Sequence, residues 1–263
     1  MELWAFKHPM RTEKMSDHIL DGIKFIKKYY ISIGYHERLL KKINKLSKKL
    51  HINLSLTPDD LVWMITVAYS FHDIGKIASP LYERILTGRG APLHELFSSA
   101  ILSITMNLHL TLKNQEKTLI IDSIYFAILL HHSAMRQLED FKHIFKEIYG
   151  DAYYIYLPHN RALIFNQIIE KVSSIVNLSR TIPYVRKMKI PVANIFREYE
   201  NKIAYWFGGY TPNKLLRYIL ETLVLSILHP LIMADNYAAS IHSQNKIFPS
   251  WLEEYINSMN ILV

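Results

Sequence analysis

Apolar positions recur along this chain mostly at helical spacing. In KMSDHILDGIKFIKKYYISIG (14–34), Ile19, Ile23 and Ile26 fall on one face and lysines on the others. Asp17 and Asp21 lie early and the lysines late, as the helix dipole favours. A second amphipathic helix covers 35–52, its lysine run forming a solvated face. Thr57 caps a third helix with Pro58 at its first position, and its apolar run ends on His72-Asp73. Further helices are predicted over 93–110 and over 116–132, the latter almost wholly apolar. Residues 79–92, with their Gly and Pro, predict a loop. Residues 133–213, punctuated by Pro158, Pro183, Pro191 and Gly208-Gly209, predict a variable, less regular segment. Thr211 and Pro212 open a last long helix, kinked near Pro230. No strand set, internal repeat or low-complexity linker stands out. The pattern predicts an all-α fold, one globular helical bundle spanning 1–263.

Composition agrees. Only 8 of 263 residues are Gly, which leaves few turn positions, and 50% are hydrophobic, enough for a sizeable core. The absence of cysteine excludes disulfides and thiolate zinc sites. Any metal must be held by His and carboxylate, a donor set that suits Mg, Mn, Co, Ni or Fe. A net charge of +8 and a pI near 9.4 point to a polyanionic partner, most simply nucleic acid. The N-terminus MELWAFKHPM has no apolar signal core. The stretch LVLSILHPLIMA (223–234) is interrupted by His229 and Pro230, too short and broken to span a bilayer. The expectation is a cytoplasmic protein with no membrane attachment.

Candidate chemistry starts at FHDIGK (71–76), where two metal-type ligands adjoin. With 13 His and 9 Asp, chance alone gives about 0.4 such pairs in the chain, so the dipeptide says little by itself. Other ligand types, however, recur near the ends or inner faces of apolar helices: His18, His94, His131-His132 and Asp235. A buried carboxylate is costly unless paired or metal-bound. Several polar ends converging in one helical core would need a common partner, and a divalent metal supplies one.

The pattern His…His-Asp…His…His-His…Asp resembles that of the HD phosphohydrolase superfamily. The flanking residues LWAFK (3–7), SDHILDGI, FHDIGK, PLHELFSSAIL, AILLHH and MADNYAAS resemble the CRISPR-associated HD nuclease, the HD domain of the type I CRISPR helicase–nuclease, here as a free-standing chain. The resemblance covers 1–132 and 214–240 in order. It implies a helical HD domain around a central metal site holding one or two divalent ions. His18, His72, Asp73 and Asp235 would hold one ion, and His94, His131 and His132 a second, with Asp73 bridging. Helical neighbours point about 100° apart, so His131 and His132 can reach one site only where the helix ends or widens.

Two metals about 4 Å apart can supply both the attacking hydroxide and relief of charge on the leaving oxygen in phosphodiester hydrolysis. Lys76, three residues from Asp73, is placed to stabilise the developing charge as a catalytic partner. Arg84 and Arg89 beside the site, and Arg186 and Lys187 around Tyr184, are candidates for phosphate contacts. The resemblance implies a DNA nuclease of CRISPR interference, with RNA left open as a substrate. No GxxxxGK[ST] loop is present, so a separate helicase and a crRNA-guided surveillance complex are the implied partners. The rivals are an HD phosphohydrolase acting on a small nucleotide and a non-catalytic nucleic-acid-binding module.

Overall fold

The computed structural model describes residues 2–8, 11–109, 114–132, 138–208, 214–242 and 249–262. The chain opens with a hairpin that the apolar pattern does not predict. Strand β1 (Trp4–His8) pairs antiparallel with β2 (Arg11–Lys14), with an irregularity between Trp4 and Phe6. Met15 N donates to Leu3 O at 2.9 Å and opens α1 (Met15–Ile26). Ile19, Ile23 and Ile26 are fully buried on its inner face. The α geometry ends there and passes into a π turn over Lys27–Ile31, so the helix is shorter than its pattern.

Helix α2 (Tyr35–Lys49) follows, and then α3 (Pro58–Phe71), opened by a reciprocal cap between Thr57 and Asp60. A 3-10 turn over Ile74–Ile77 leads to α4 (Leu81–Leu86), a short helix inside the stretch read as a loop. Helices α5 (His94–His109) and α6 (Asn114–Leu130) stand as expected.

The segment 133–213 is more regular than its sequence suggests. Where described, it holds α7 (Leu138–Tyr149), strand β3 (Tyr154–Leu157), α8 (His159–Ile175), strand β4 (Met188–Pro191) and α9 (Val192–Phe207), with β3 and β4 pairing antiparallel. Pro158 and Pro191, which make the sequence look irregular, cap α8 and α9. At the entry to a helix a missing N–H removes no helical hydrogen bond. The chain ends with α10 (Lys214–Ile241) and α11 (Ser250–Leu262). Gly209, Thr211 and Pro212 lie outside the described residues. The fold is mostly helical, as expected, with two two-stranded sheets added.

Helix α10 packs against α1, α6, α3 and α2. By length and composition it is apolar enough to cross a membrane. Here its Leu216, Ile219, Leu220, Leu223, Ile227 and Leu231 are buried in the core. It runs on through Pro230 rather than breaking there. A proline cannot donate to the carbonyl four residues back. That carbonyl, Ser226 O, accepts instead from Tyr35 Oη of α2 at 3.0 Å.

This replacement bond gives a thermodynamic test. Tyr35→Phe should cost about 1 kcal/mol in urea unfolding, the net worth of such a bond. In a Pro230→Ala background, where an alanine N–H can reach Ser226 O, the same change should cost close to nothing. Equal costs in the two backgrounds would show that Tyr35 does not substitute for the lost helical donor.

Candidate metal centre

Five stretches of chain place metal-type ligands at one point in the core. His18 projects from the inner face of α1, one turn before Gly22. His72 ends α3, and Asp73 begins the 3-10 turn. His94 opens α5. Helix α6 stops at Leu130, so His131 and His132 are free of helical geometry and their rings sit 4.0 Å apart. Asp235 comes from α10. His18, His72, Asp73, His94 and His131 are buried, Asp235 is partly buried, and His132 is exposed.

Close backbone approaches hold these ends together. Gly75 N donates to Ser98 Oγ at 2.8 Å, and a Cβ at Gly75 would lie 2.4 Å from His94 O. Only glycine lets the 3-10 turn pack this tightly on the start of α5. Ser98 is thus a buried hook between the two segments rather than a group facing a ligand. On the other side, Tyr69 Oη donates to His18 O at 3.1 Å, and a Cβ at Gly22 would overlap that hydroxyl. Leu93, just before His94, has φ of 66°, a strained left-handed conformation for a side chain of its size.

Asp73 is the hub. Its Oδ1 lies 3.0 Å from His94 Nε2. Its Oδ2 lies 3.5 Å from His18 Nε2, 3.6 Å from His72 Nε2 and 2.7 Å from Lys76 Nζ. Asp235 Oδ1 is 3.2 Å from His18 Nε2 and 3.5 Å from His72 Nε2. Three ligand groups result: Asp73, His94, His131 and His132; His18, His72 and Asp73; and His72, His131 and Asp235, the ligand atoms in each lying within 4.8 Å of one another. The seven residues expected from the sequence meet here. The grouping differs from the expected partition in one respect, because His131 also reaches the side of His72 and Asp235.

The outer ring nitrogens set the tautomers. Nδ1 of His72, His94 and His131 faces the carbonyl three residues back: Tyr69 O at 2.6 Å, Ala91 O at 2.8 Å, and Ile128 O. A carbonyl only accepts, so each Nδ1 carries a proton and each Nε2 is the atom turned to the centre. His18 Nδ1 donates to Glu13 Oε1 at 2.7 Å. Glu13 is buried at the end of the β2 strand, and nothing in the sequence distinguishes it from Asp17 or Asp21 as the partner of His18.

The inner atoms fit a cation. Asp73 Oδ1, His94 Nε2 and His131 Nε2 are buried and have no hydrogen-bond partner. Their hydrogen-bonding capacity points into the cluster unused. Carboxylates and imidazoles in this arrangement are a donor set for a divalent ion such as Mn, Co, Ni or Fe.

Burial alone would raise the carboxyl of Asp73, but the Lys76 ammonium and His72 hold it well below the usual carboxylate range. Asp235 is likewise held low, against its burial, by His18 and His72. Burial would depress His18, yet its bonds to Asp235 and Glu13 and the charge of Asp73 raise it to about 10. His131 is pushed well down by burial and by His132. His132 keeps an exposed edge, but the packing of its ring against His131 and His94 desolvates it and, with the charge of His94, lowers it to about 4.

A cleft of about 330 Å³ leads from the cluster to solvent. Its lining includes Lys76, His94, His132, Phe6, Lys7 and Arg89. Of the basic residues singled out in the sequence, Arg89 lines this cleft. Arg84 Nε instead donates to Gly90 O, and its guanidinium lies over the Tyr149 ring. Arg186 and Lys187 are exposed but are not among the residues lining the cleft.

Two predictions follow from this chemistry. Glu13→Gln should weaken divalent-metal affinity about 10–100-fold by calorimetry, the usual effect of losing a group that orients a ligand. Unchanged affinity would mean that Glu13 does not orient His18. In metal-free protein, His131 and His132 have folded values below the ordinary one, so stability should fall as pH drops from about 6.5 towards 4. His18 has the opposite sign, and its contribution should be lost as pH rises from about 6.5 towards 10. Urea unfolding should therefore show a maximum near neutrality. Saturating Mn²⁺ should flatten the alkaline limb, because coordination requires neutral imidazole. A profile level from pH 6.5 to 9 without metal would contradict the charge assigned to His18.

No protein-family model matches this chain, and no curated protein matches it. Among solved structures, the chain is similar to the CRISPR-associated Cas3 HD domain protein from Methanocaldococcus jannaschii, at 19% sequence identity and a TM-score of 0.42, over 82% of this chain and 95% of that one. At this level of likeness, the functional reading rests on the side chains of the site.

Proposed function

We propose that the chain is a metal-dependent phosphodiesterase of the HD phosphohydrolase type, a nuclease that hydrolyses DNA. The observation that carries this reading is the bridging position of Asp73, one carboxylate oxygen turned to His94 and the other to His18 and His72. One or two divalent ions held there supply Lewis-acid polarisation of a phosphate and a water of lowered pKa. The protein's own groups do the rest. Lys76, between Asp73 and the cleft, places a fixed positive charge where a phosphate would enter. Lys7 and Arg89 line the approach and would hold flanking phosphates without reading sequence. Glu13 and the three backbone carbonyls keep the histidine rings aimed inward.

The order of motifs along the chain supports a place in CRISPR interference, with a separate helicase and a crRNA-guided complex presenting the DNA. A second reading, hydrolysis of a small nucleotide, has one observation in its favour: the cleft volume lies within the range of small-ligand pockets.

Asp73→Asn should lower DNA cleavage by more than about a hundredfold, beyond the effect of losing an orienting partner, with little loss of fold. Cleavage at the wild-type rate would sink this assignment. Metal-stripped protein should regain activity on adding Mn²⁺, Co²⁺, Ni²⁺, Fe²⁺ or Mg²⁺ singly. Circular single-stranded DNA, offered beside mononucleotides, separates the two readings. Cut circles support the nuclease. Turnover of mononucleotides alone assigns the same ligands to a small-molecule phosphohydrolase.

A further inference from the structure

Strand β3 alternates as a half-buried strand should: Ile155 and Leu157 turn into the core, while Tyr154 and Tyr156 turn out. The outward residues of such a strand are ordinarily polar. Here they are aromatic, 46% and 43% exposed, and Tyr153 just before them is 75% exposed. Across the pair, Tyr156 faces Lys189 of β4, and the Lys189 ammonium lies 4.0 Å from the centre of the Tyr154 ring. The stretch YVRKMK (184–189) adds Arg186 and Lys187, both exposed, and no acidic residue. Exposed rings interleaved with cations suit a ligand that carries flat apolar faces on an anionic backbone.

The sheet is also tied to the metal centre. Ser79 N donates to Tyr156 O at 2.8 Å, and Tyr156 N donates to Ser79 O at 3.0 Å. Ser79 comes six residues after Asp73, so at most about 21 Å of chain separates the hub of the site from this strand. The same backbone that positions Lys76 therefore fixes the aromatic face.

We propose that the outer face of the β3–β4 sheet, formed by Tyr154, Tyr156 and Lys189, is a stacking platform for single-stranded nucleic acid. Unpaired bases stack on the two tyrosines, and Lys189, with Arg186 and Lys187 beside it, holds the backbone phosphates. The choice of ligand rests on the nuclease reading above. Duplex DNA offers no free base face, so the platform selects unpaired strands.

The test uses the full chain and an oligothymidylate of about a dozen nucleotides, with binding read by fluorescence anisotropy. Tyr154→Ala with Tyr156→Ala should weaken binding at least about tenfold, while Tyr154→Phe with Tyr156→Phe should stay within about twofold of wild type, because phenyl rings still stack. Lys189→Ala should reduce the salt dependence by about one phosphate contact. Hydrolysis of bis(p-nitrophenyl) phosphate, which needs no platform, should be unchanged in all three variants and shows that they are folded. Unchanged affinity in the double alanine variant overturns the proposal. So does an equal loss for a blunt duplex, or an equal loss in the phenylalanine variant, either of which would mark a surface used for a protein partner or for folding. If the small diester is not hydrolysed with any ion while tyrosine-dependent binding persists, the hydrolase reading fails and the platform stands. If the diester is hydrolysed and binding ignores the tyrosines, the platform fails and the hydrolase reading stands.

Discussion

The structure turns on one buried charge. Asp73 has no exposed surface, yet its carboxyl is held ionised in the middle of an apolar bundle. Burying an unpaired carboxylate is among the most expensive things a fold can do. Lys76 offsets part of that cost at Oδ2. Oδ1 lies 3.0 Å from His94 Nε2 and has no aligned hydrogen bond. Around this point α3 stops, α5 starts and α6 stops, because a ligand cluster at the centre of a helical fold has to be built from helix ends and inner faces.

Helix ends and turns also solve the problem of aiming the histidines. A carbonyl at a helix end or turn is open to a side-chain donor, and Ala91 O and Ile128 O accept both the backbone N–H and the ring of the histidine three residues on. His72, His94 and His131 each use the same device, donating Nδ1–H to the carbonyl three residues back, which leaves Nε2 facing inward. His18 lies inside α1, where the preceding carbonyls are engaged in the helix. It needs an outside acceptor, and the N-terminal hairpin supplies Glu13. The hairpin is thus part of the site's construction. Glycine enters at Gly22 and Gly75 because any side chain there would push Tyr69 or the start of α5 out of place.

This division of labour explains what could be read from the sequence. Residues whose role is written in local pattern were legible: the inner face of α1, the Thr57 cap, and His72-Asp73 at the end of an apolar run. The seven metal-type residues were legible as a set because each stands beside or within such a run. Glu13 was not, since its role comes from a hairpin register and from burial, neither of which leaves a mark on a four-residue strand. Helices α8 and α9 were masked by the prolines that cap them, because a proline before a helix looks in sequence like one that breaks it. The direction of Arg84 was not legible either: nearness in sequence to the site does not say where a long side chain turns, and this one turns its Nε to Gly90 O.

The cluster is asymmetric, closed on one side and adjoining a cleft on the other. The His18 side is closed by Glu13, by Tyr69 stacked on the His18 ring, and by the hairpin. The His94 side opens past His132 and Lys76 into the cleft lined by Arg89 and Lys7. The side chains on the closed side, His18 and His72, are buried, while His132 on the open side is exposed. Asp73 reaches both sides with its two oxygens, Oδ2 towards His18 and His72 and Oδ1 towards His94. A site of this form keeps its most expensive charge farthest from solvent and its positive charges at the mouth.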